Sequence, residues 1–218
     1  MKSSKSADKV HPGIALALLR SLRDQDTPAE SLEDEAFVDS LPRRLGLNDV
    51  VNVQMRRYAD LRDRGQSLAL SEFLDLIRLI SRRPDARAIF STAGRNLATE
   101  KFADSGALRK AARRLSTEAA RQRRLLRSMS SAARALSPGI QIDADRDPPA
   151  LSIEGFALAP AGIHGNACEI LTAALGVCVT EMWDAELSVR HAECQGRGDS
   201  RCAWSLVESP ELATQAAG

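Results

Sequence analysis

Aromatic residues are scarce in this chain of 218 residues, where Phe, Trp and Tyr together make up 4%. That scarcity argues against a protein that works by stacking bases or rings on aromatic platforms. An excess of charge of one sign is also absent, because 30 Lys and Arg residues offset 29 Asp and Glu residues and leave a net charge of +1. Global charge therefore indicates neither a nucleic acid nor a membrane surface as a partner, and we predict no nucleic-acid binding.

Long hydrophobic runs are missing as well. No apolar run approaches the roughly 20 residues that a helix needs to cross a bilayer. The apolar residues 14–19 are too few for the core of a signal peptide, and Arg20 and Arg23 interrupt them. We therefore predict a cytoplasmic protein with no membrane span. In a reducing compartment its four cysteines are expected to be thiols or metal ligands rather than disulfides.

The chain does contain enough apolar residues for one core, since hydrophobic residues make up 44% of it. We predict a flexible or short-helical acidic segment over 1–40, one domain over 41–208 and a disordered tail over 209–218. Helix-capping residues and breakers predict three helices in the first part of the domain. The first begins at Asn48 and ends at Gly65, the second is capped by Ser71, and the third begins at Pro84–Asp85.

A longer amphipathic helix is predicted before Pro138. Its apolar and small residues recur in three- and four-residue steps, in a seam that resembles a heptad repeat. The seam consists of Leu108, Ala112, Leu115, Ala119, Gln122, Leu126, Met129, Ala133 and Leu136. The other faces are rich in arginine, with Glu118 the single acid. These faces are expected to be solvated, or to lie near the acidic residues of 24–39, and the seam could pair with a second copy. We therefore predict a homodimer.

The sequence pattern changes after residue 150. Residues 151–158 alternate in polarity as a strand does, and Asn166 is a candidate cap for a helix over 167–183. Residues 187–194 and 201–207 then predict two strands joined by a glycine-containing turn. The helical part, 41–137, thus precedes a strand–helix–hairpin part, 150–208. The fold class that we predict is α+β, with helices packed on one side of a small antiparallel sheet.

The residues with distinctive chemistry lie in this last part of the chain. Cys168 falls in the first turn of the predicted helix, and His191, Cys194 and Cys202 surround the hairpin. Three sulfur donors and one imidazole are the set that a tetrahedral zinc site needs. A step of three residues points His191 and Cys194 to opposite faces of a regular strand, so they can share an ion only where the strand ends or bulges. Cys168 is also expected to be deprotonated at its helix start.

Other potential ligands lie close by. Glu193 is an alternative to His191 because it adjoins Cys194, and His164 is another. Cys178 is excluded, because ten helical residues separate it from Cys168 by about 15 Å along the axis. We interpret Cys178 as a small buried apolar residue.

Residues 168–206 resemble the C-terminal half of the 4-vinyl-reductase domain family. The shared features are a cysteine that opens a helix, a strand that ends in a cysteine, the turn at Gly198–Asp199, and Cys202 followed by Trp204 two residues later. The resemblance implies helices on an antiparallel sheet, as in the Bet-like subunits of the TRAPP complex. In the aromatic-sensing members, three cysteines and one glutamate hold zinc. Those cysteines match Cys168, Cys194 and Cys202, and His191 stands in the place of the glutamate.

Taken together, these features predict a small-molecule binding or sensory domain with a structural zinc ion. Its ligand would be hydrophobic, either aromatic or tetrapyrrole-like. One alternative is an enzyme or accessory protein of bacteriochlorophyll or tetrapyrrole biosynthesis, to which the same resemblance extends. The sequence has no glycine-rich dinucleotide loop and no triad-like cluster, so we name no catalytic residue. A further alternative is a dimeric interaction module.

Overall fold

A computed structural model describes residues 8–26, 48–103, 117–137, 141–146, 149–182 and 187–208. The helices are α1 (Pro12–Asp26), α2 (Asn48–Asp63), α3 (Leu70–Ser81), α4 (Ala86–Ala103), α5 (Glu118–Leu136), the short α6 (Leu158–Ala161) and α7 (Glu169–Met182). The strands are β1 (Lys9–Val10), β2 (Leu68–Ala69), β3 (Gln141–Arg146), β4 (Pro149–Glu154), β5 (Leu187–Glu193) and β6 (Cys202–Glu208).

The predicted α+β class is confirmed. Four antiparallel strands form the main sheet in the order β3-β4-β6-β5, and β1 and β2 form a separate two-stranded pair. Alternate residues of the main sheet are buried: Leu151 and Ile153 of β4 lie inside, whereas Ser152 between them is half-buried. Helices α5 and α7 contact this sheet. The alternation of burial is that of a sheet with one covered face and one solvated face.

The most extensive contact between helices joins α4 and α7. Gly94 of α4 makes it possible, because a Cβ at this position would lie 2.1 Å from the carbonyl oxygen of Ile170. Real Cβ atoms do not approach backbone that closely, and a backbone oxygen cannot rotate away as a side chain can. The short distance between the two helices therefore requires a residue without a side chain at position 94.

We expect the Gly94→Ala and Gly176→Ala variants to change stability in opposite directions. The first should lose about 1–3 kcal/mol of unfolding free energy, because α4 and α7 must separate to admit the methyl group. The second should gain up to about 1 kcal/mol, since alanine favours the helix and no atom of the described residues lies within 4 Å of the added Cβ. Urea unfolding followed by circular dichroism measures both. Equal effects would contradict the close approach of α4 to Ile170.

The N-terminal helix belongs to the common core. Helix α1 packs against α2 and α4 and buries Ile14, Leu16 and Leu18. The helix continues beyond its apolar residues through polar ones to Asp26, which pairs with Arg83. Most of the acidic stretch, the predicted boundary at residue 41 and the tail 209–218 lie outside the described residues.

Two predicted helix starts agree with the structure, at Asn48 and just after Pro84–Asp85, where α4 begins at Ala86, and two differ. Helix α2 begins at Asn48, and the chain leaves it through Gly65, whose φ of +63° suits glycine. The prediction that Ser71 caps the next helix is wrong, because α3 begins at Leu70 and its N-cap is Ala69, with no side-chain hydrogen bond. The prediction for Asn166 is wrong as well, since α7 begins only at Glu169.

Strand β3 was not predicted. It contains only two apolar residues, Ile142 and Ala144, and lies at the edge of the sheet, so its sequence resembles a polar loop. Strand β4 ends at Glu154 rather than at residue 158, because the chain turns at Gly155, where φ is +67°. Leu158 then begins the short helix α6.

The described half of the seam contributes to this chain's own core. Leu126, Met129, Ala133 and Leu136 of α5 are all buried within the chain. The other half of the seam, with Leu108, Ala112 and Leu115, lies outside the described residues. A charged side chain at Leu126 would therefore disrupt the monomer itself, and a homodimer formed through this seam stays a prediction.

Within the described part of the chain, the segment Ile163–Met182 is long and apolar enough to cross a membrane, judged by length and composition. Half of its most apolar window is buried inside the protein, as in a core helix. Regular α-helix covers only its last 14 residues, short of the roughly 20 that a span requires. The segment is thus weak support for a membrane span, and a cytoplasmic location stays a prediction.

Candidate metal centre

Cys168 ends an irregular turn that leads into α7. The turn Ile163–Cys168 has 3-10 character and includes two left-handed residues, His164 and Gly165. Ser81, at the end of α3, holds it: its hydroxyl accepts the Ile163 N–H at 2.8 Å, and its carbonyl accepts from the Asn166 side-chain amide at 3.2 Å. Asn166 therefore anchors the turn to α3 instead of capping α7.

A β-bulge brings His191 and Cys194 to the same face. His191 pairs with Trp204 across the sheet, but the next pair is Glu193 with Ala203, so one residue of β5 is extra. The strand then ends, and Cys194 follows in extended conformation. An extra residue reverses the alternation of side chains. His191 and Cys194, which a three-residue step would place on opposite faces, therefore point to the same face. This confirms the expectation that a bulge or a strand end lies near Cys194.

The turn after Cys194 is fixed by hydrogen bonds to its backbone. The Cys194 carbonyl accepts the N–H groups of Arg197 and Asp199, at 2.8 and 3.2 Å. The Asp199 carboxylate in turn accepts the Cys194 N–H at 2.6 Å. Gly198 adopts φ +101°, which only glycine adopts readily. The chain then returns as β6, which begins at Cys202.

All four predicted residues converge. One ligand atom from each of Cys168, His191, Cys194 and Cys202 lies within 4.8 Å of the other three, and the three cysteines are buried. The Sγ atoms of Cys168 and Cys194 are 3.8 Å apart. Metal–sulfur bonds of 2.3 Å in a tetrahedron separate neighbouring sulfurs by about 3.8 Å. These four residues could hold one metal ion after contracting by about an ångström.

Two glycines allow the ligands to come this close. A Cβ at Gly165 would lie 2.3 Å from the Cys194 Sγ. A Cβ at Gly196 would lie 2.5 Å from the Ala159 carbonyl oxygen and 2.7 Å from the backbone of Gly165. The turn before α7 and the turn after β5 therefore touch through glycine backbone. Glycine at positions 165 and 196 is a packing requirement of the site as well as a matter of chain flexibility.

The electrostatics favour a thiolate at Cys202. Hydrogen bonding from the Cys168 thiol, together with the neighbouring His191 and the Gln195 N–H, lowers the pKa of Cys202 to about 5. The same bond with Cys202, together with burial, raises the pKa of Cys168. Burial, and then the negative charge of Cys202, raise the pKa of Cys194. The hydrogen bond with Cys202 and burial thus oppose the expected Cys168 thiolate in the metal-free site, and that thiolate stays a prediction.

The imidazole of His191 has a nitrogen that suits a metal. Its Nε2 is buried and has no hydrogen-bond partner among the described residues. A buried polar atom without a partner costs free energy, so such an atom in a native structure calls for an explanation. Because a ring nitrogen of His191 lies within 4.8 Å of the three cysteine sulfurs, a metal ion provides that explanation. The donor set therefore fits a thiophilic ion.

The alternative ligands do not join the cluster. Glu193 accepts a hydrogen bond from Arg201 at 2.9 Å and is partly exposed. His164 is exposed in the turn before Cys168. Cys178 lies away from the four ligands, where its Sγ is 3.6 Å from the Ser128 hydroxyl. These outcomes agree with the choice of His191 as the fourth ligand and with the exclusion of Cys178.

Thr172 and Trp204 border the cluster, although the sequence predicts no role for either of them in it. Trp204 is fully buried, and its ring stacks on His191 with centroids 4.4 Å apart and planes 7° apart. Its indole N–H donates to the Thr172 hydroxyl at 2.9 Å. For Trp204 the sequence signal is its spacing from Cys202, because residues two apart in a strand lie on the same face. For Thr172 the sequence signal is its position four residues after Cys168, one turn along the same face of the predicted helix.

A small apolar cavity lies apart from the ligands, between α1, α4, α5 and α7. Its volume is about 130 Å³. Its lining is almost entirely aliphatic and alanine-rich, and the hydroxyl of Ser128 and the thiol of Cys178 are the polar groups that border it. Helix α7 contributes Ile170, Ala174 and Cys178 to one wall. The same helix thus begins beside the metal ligands and walls the cavity.

Comparison with known proteins adds no further information: no family model, curated protein or solved structure matches this chain.

Proposed function

We propose that Cys168, His191, Cys194 and Cys202 hold one zinc ion that stabilises the fold. The observation that carries this proposal is the convergence of three buried sulfurs and an imidazole within 4.8 Å. Zinc is bound by these donors in Cys₃His sites. The ligands of an iron–sulfur cluster lie farther apart than those of a single ion, because they surround more than one metal atom.

A structural role follows from the number of ligands. Four protein donors fill a tetrahedral zinc site, whereas a catalytic zinc keeps one position for water. The ion would join three parts of the chain: the turn before α7, the end of β5 and the start of β6. Binding energy at such a site contributes directly to folding.

The expected metal content is one zinc per chain in protein purified without added metal. Elemental analysis by mass spectrometry, together with protein quantitation from amino-acid hydrolysis, measures it. Zinc near one equivalent supports the proposal. A content below about a tenth of an equivalent, in protein that also fails to take up added Zn²⁺, would rule the site out.

We further propose that the zinc-stabilised domain binds a small hydrophobic molecule, as the resemblance to 4-vinyl-reductase domains implies. The cavity against α7 supports this function. Its 130 Å³ is close to an engineered apolar cavity of about 150 Å³ that binds benzene or xenon. Drug-sized ligands occupy pockets of about 300–1,000 Å³. The volume favours a single ring over a tetrapyrrole.

The alternative function, an accessory protein of tetrapyrrole biosynthesis, requires a larger opening than this cavity. A thermal-shift series discriminates the two proposals. Benzene or toluene should raise the melting temperature of the wild-type protein and not that of Ala132→Leu, whose larger side chain fills the cavity. A porphyrin should raise neither. Stabilisation by the porphyrin alone would instead favour the tetrapyrrole function.

A further inference from the structure

The Thr172 hydroxyl connects two of the elements that carry metal ligands. It donates to the carbonyl of Cys168, one turn earlier in the chain, at 3.1 Å. It also accepts the indole N–H of Trp204 at 2.9 Å. Trp204 lies in β6, two residues after Cys202. A single side chain thus links the backbone of one ligand to the strand that supplies another.

The indole ring extends this connection to a third ligand. Trp204 and His191 are directly opposite each other in β6 and β5, and their rings lie face to face at 4.4 Å. On another side, the Phe156 ring packs edge-on against Trp204, with centroids 5.7 Å apart. The indole can therefore neither rotate nor shift without breaking its bond to Thr172. The plane of the His191 imidazole is set by the ring on which it lies.

We infer that Thr172 and Trp204 are positioning residues of the metal site, an inference that rests on the proposed zinc function. Ligand histidines are ordinarily oriented by a hydrogen bond to their second nitrogen, and such outer partners change metal affinity by about 10- to 100-fold. Here a stacked indole orients the ring, and a threonine fixes the indole. Thr172 and Trp204 touch no reacting group, and their effect is on the geometry of the ligands.

The test compares zinc affinity in four variants of the full chain by competition with a chromophoric chelator. Thr172→Val and Trp204→Phe each remove the indole–hydroxyl bond while keeping much of the shape, and each should weaken binding about tenfold or more. Thr172→Ser keeps the hydroxyl and should stay within about twofold of wild type. Thr180→Val is the matched control, because Thr180 likewise donates to the carbonyl four residues earlier, at 3.1 Å; it should leave affinity unchanged.

A double-mutant cycle separates positioning from general loss of stability. Because both substitutions remove the same bond, Thr172→Val/Trp204→Phe should bind zinc no more weakly than the weaker single variant. Unrelated structural damage would add instead. If the wild type binds zinc and the two variants match Thr180→Val, or if their losses add, the inference is overturned while the zinc site stands. If the wild type binds no zinc, it is the proposed function that fails.

Discussion

Cys194→Ala is expected to release the metal and to lower the free energy of unfolding by at least about 3 kcal/mol. Cys194 lies where the two turns meet, so its sulfur connects the turn before α7 to the end of β5. Structural zinc contributes about 10–16 kcal/mol of binding free energy in small domains, while whole proteins are stable by only about 5–15 kcal/mol. Metal content after gel filtration and urea unfolding of the variant measure the two effects.

The control for this variant is Cys178→Ala. Cys178 is equally a buried cysteine, but it borders the apolar cavity. Its truncation removes one sulfur from a site that already has free volume, so we expect a loss of about 1 kcal/mol and an unchanged metal content. Equal losses of stability in the two variants, with metal retained in both, would contradict a metal site at Cys194.

Gly165→Ala is expected to damage the site without removing any ligand. The added methyl group would lie 2.3 Å from the Cys194 Sγ, and φ at this position is +71°. A left-handed conformation costs a non-glycine residue about 1–2 kcal/mol, and displacement of the sulfur adds to that cost. Zinc affinity should fall by at least about tenfold, since ligand positions must hold to within about 0.5 Å.

Gly155→Ala is the control that separates the effect of the contact with Cys194 from the cost of placing alanine in a left-handed conformation. Its φ is +67°, but within the described part of the chain no atom lies within 4 Å of the added Cβ. Gly155→Ala should therefore lose about 1–2 kcal/mol of stability and keep the zinc affinity of the wild type. Chelator competition and urea unfolding on both variants give the comparison. A normal zinc affinity in Gly165→Ala would show that Gly165 and Cys194 do not touch in solution.

The ligand set could be predicted from the sequence because few side chains suit a thiophilic ion. Outside Cys178, each cysteine of the chain joins the cluster, together with one of three histidines. The spacing of His191 and Cys194 required a strand end or a bulge near Cys194, and the shift in register between β5 and β6 supplies a bulge. In this region the residues that form the sequence motif are the same residues that meet in the folded chain.

Other features depend on contacts between distant parts of the chain. Asparagine is a residue type that often caps helices, but Asn166 instead donates its side-chain amide to the carbonyl of Ser81, 85 residues earlier. Strand β3 has little apolar content and exists through its pairing with β4. Sequence periodicity carries no information about such partners.

The protonation of the free thiols shows the same limit. A position before a helix favours a thiolate at Cys168, whereas hydrogen bonding with Cys168 and the neighbouring His191 lower the pKa of Cys202. Local sequence does not encode these effects, because the cysteines meet only where the two turns pack together through Gly165 and Gly196.

X-ray absorption at the zinc edge of the purified protein tests the central claim most directly. Ligation by Cys168, His191, Cys194 and Cys202 predicts three sulfur scatterers at about 2.3 Å and one nitrogen at about 2.0 Å. Cys194→Ala should lose one of the sulfurs, or the metal altogether. A first shell of oxygen and nitrogen atoms alone would contradict the account, because it would place the ion away from the three buried cysteines.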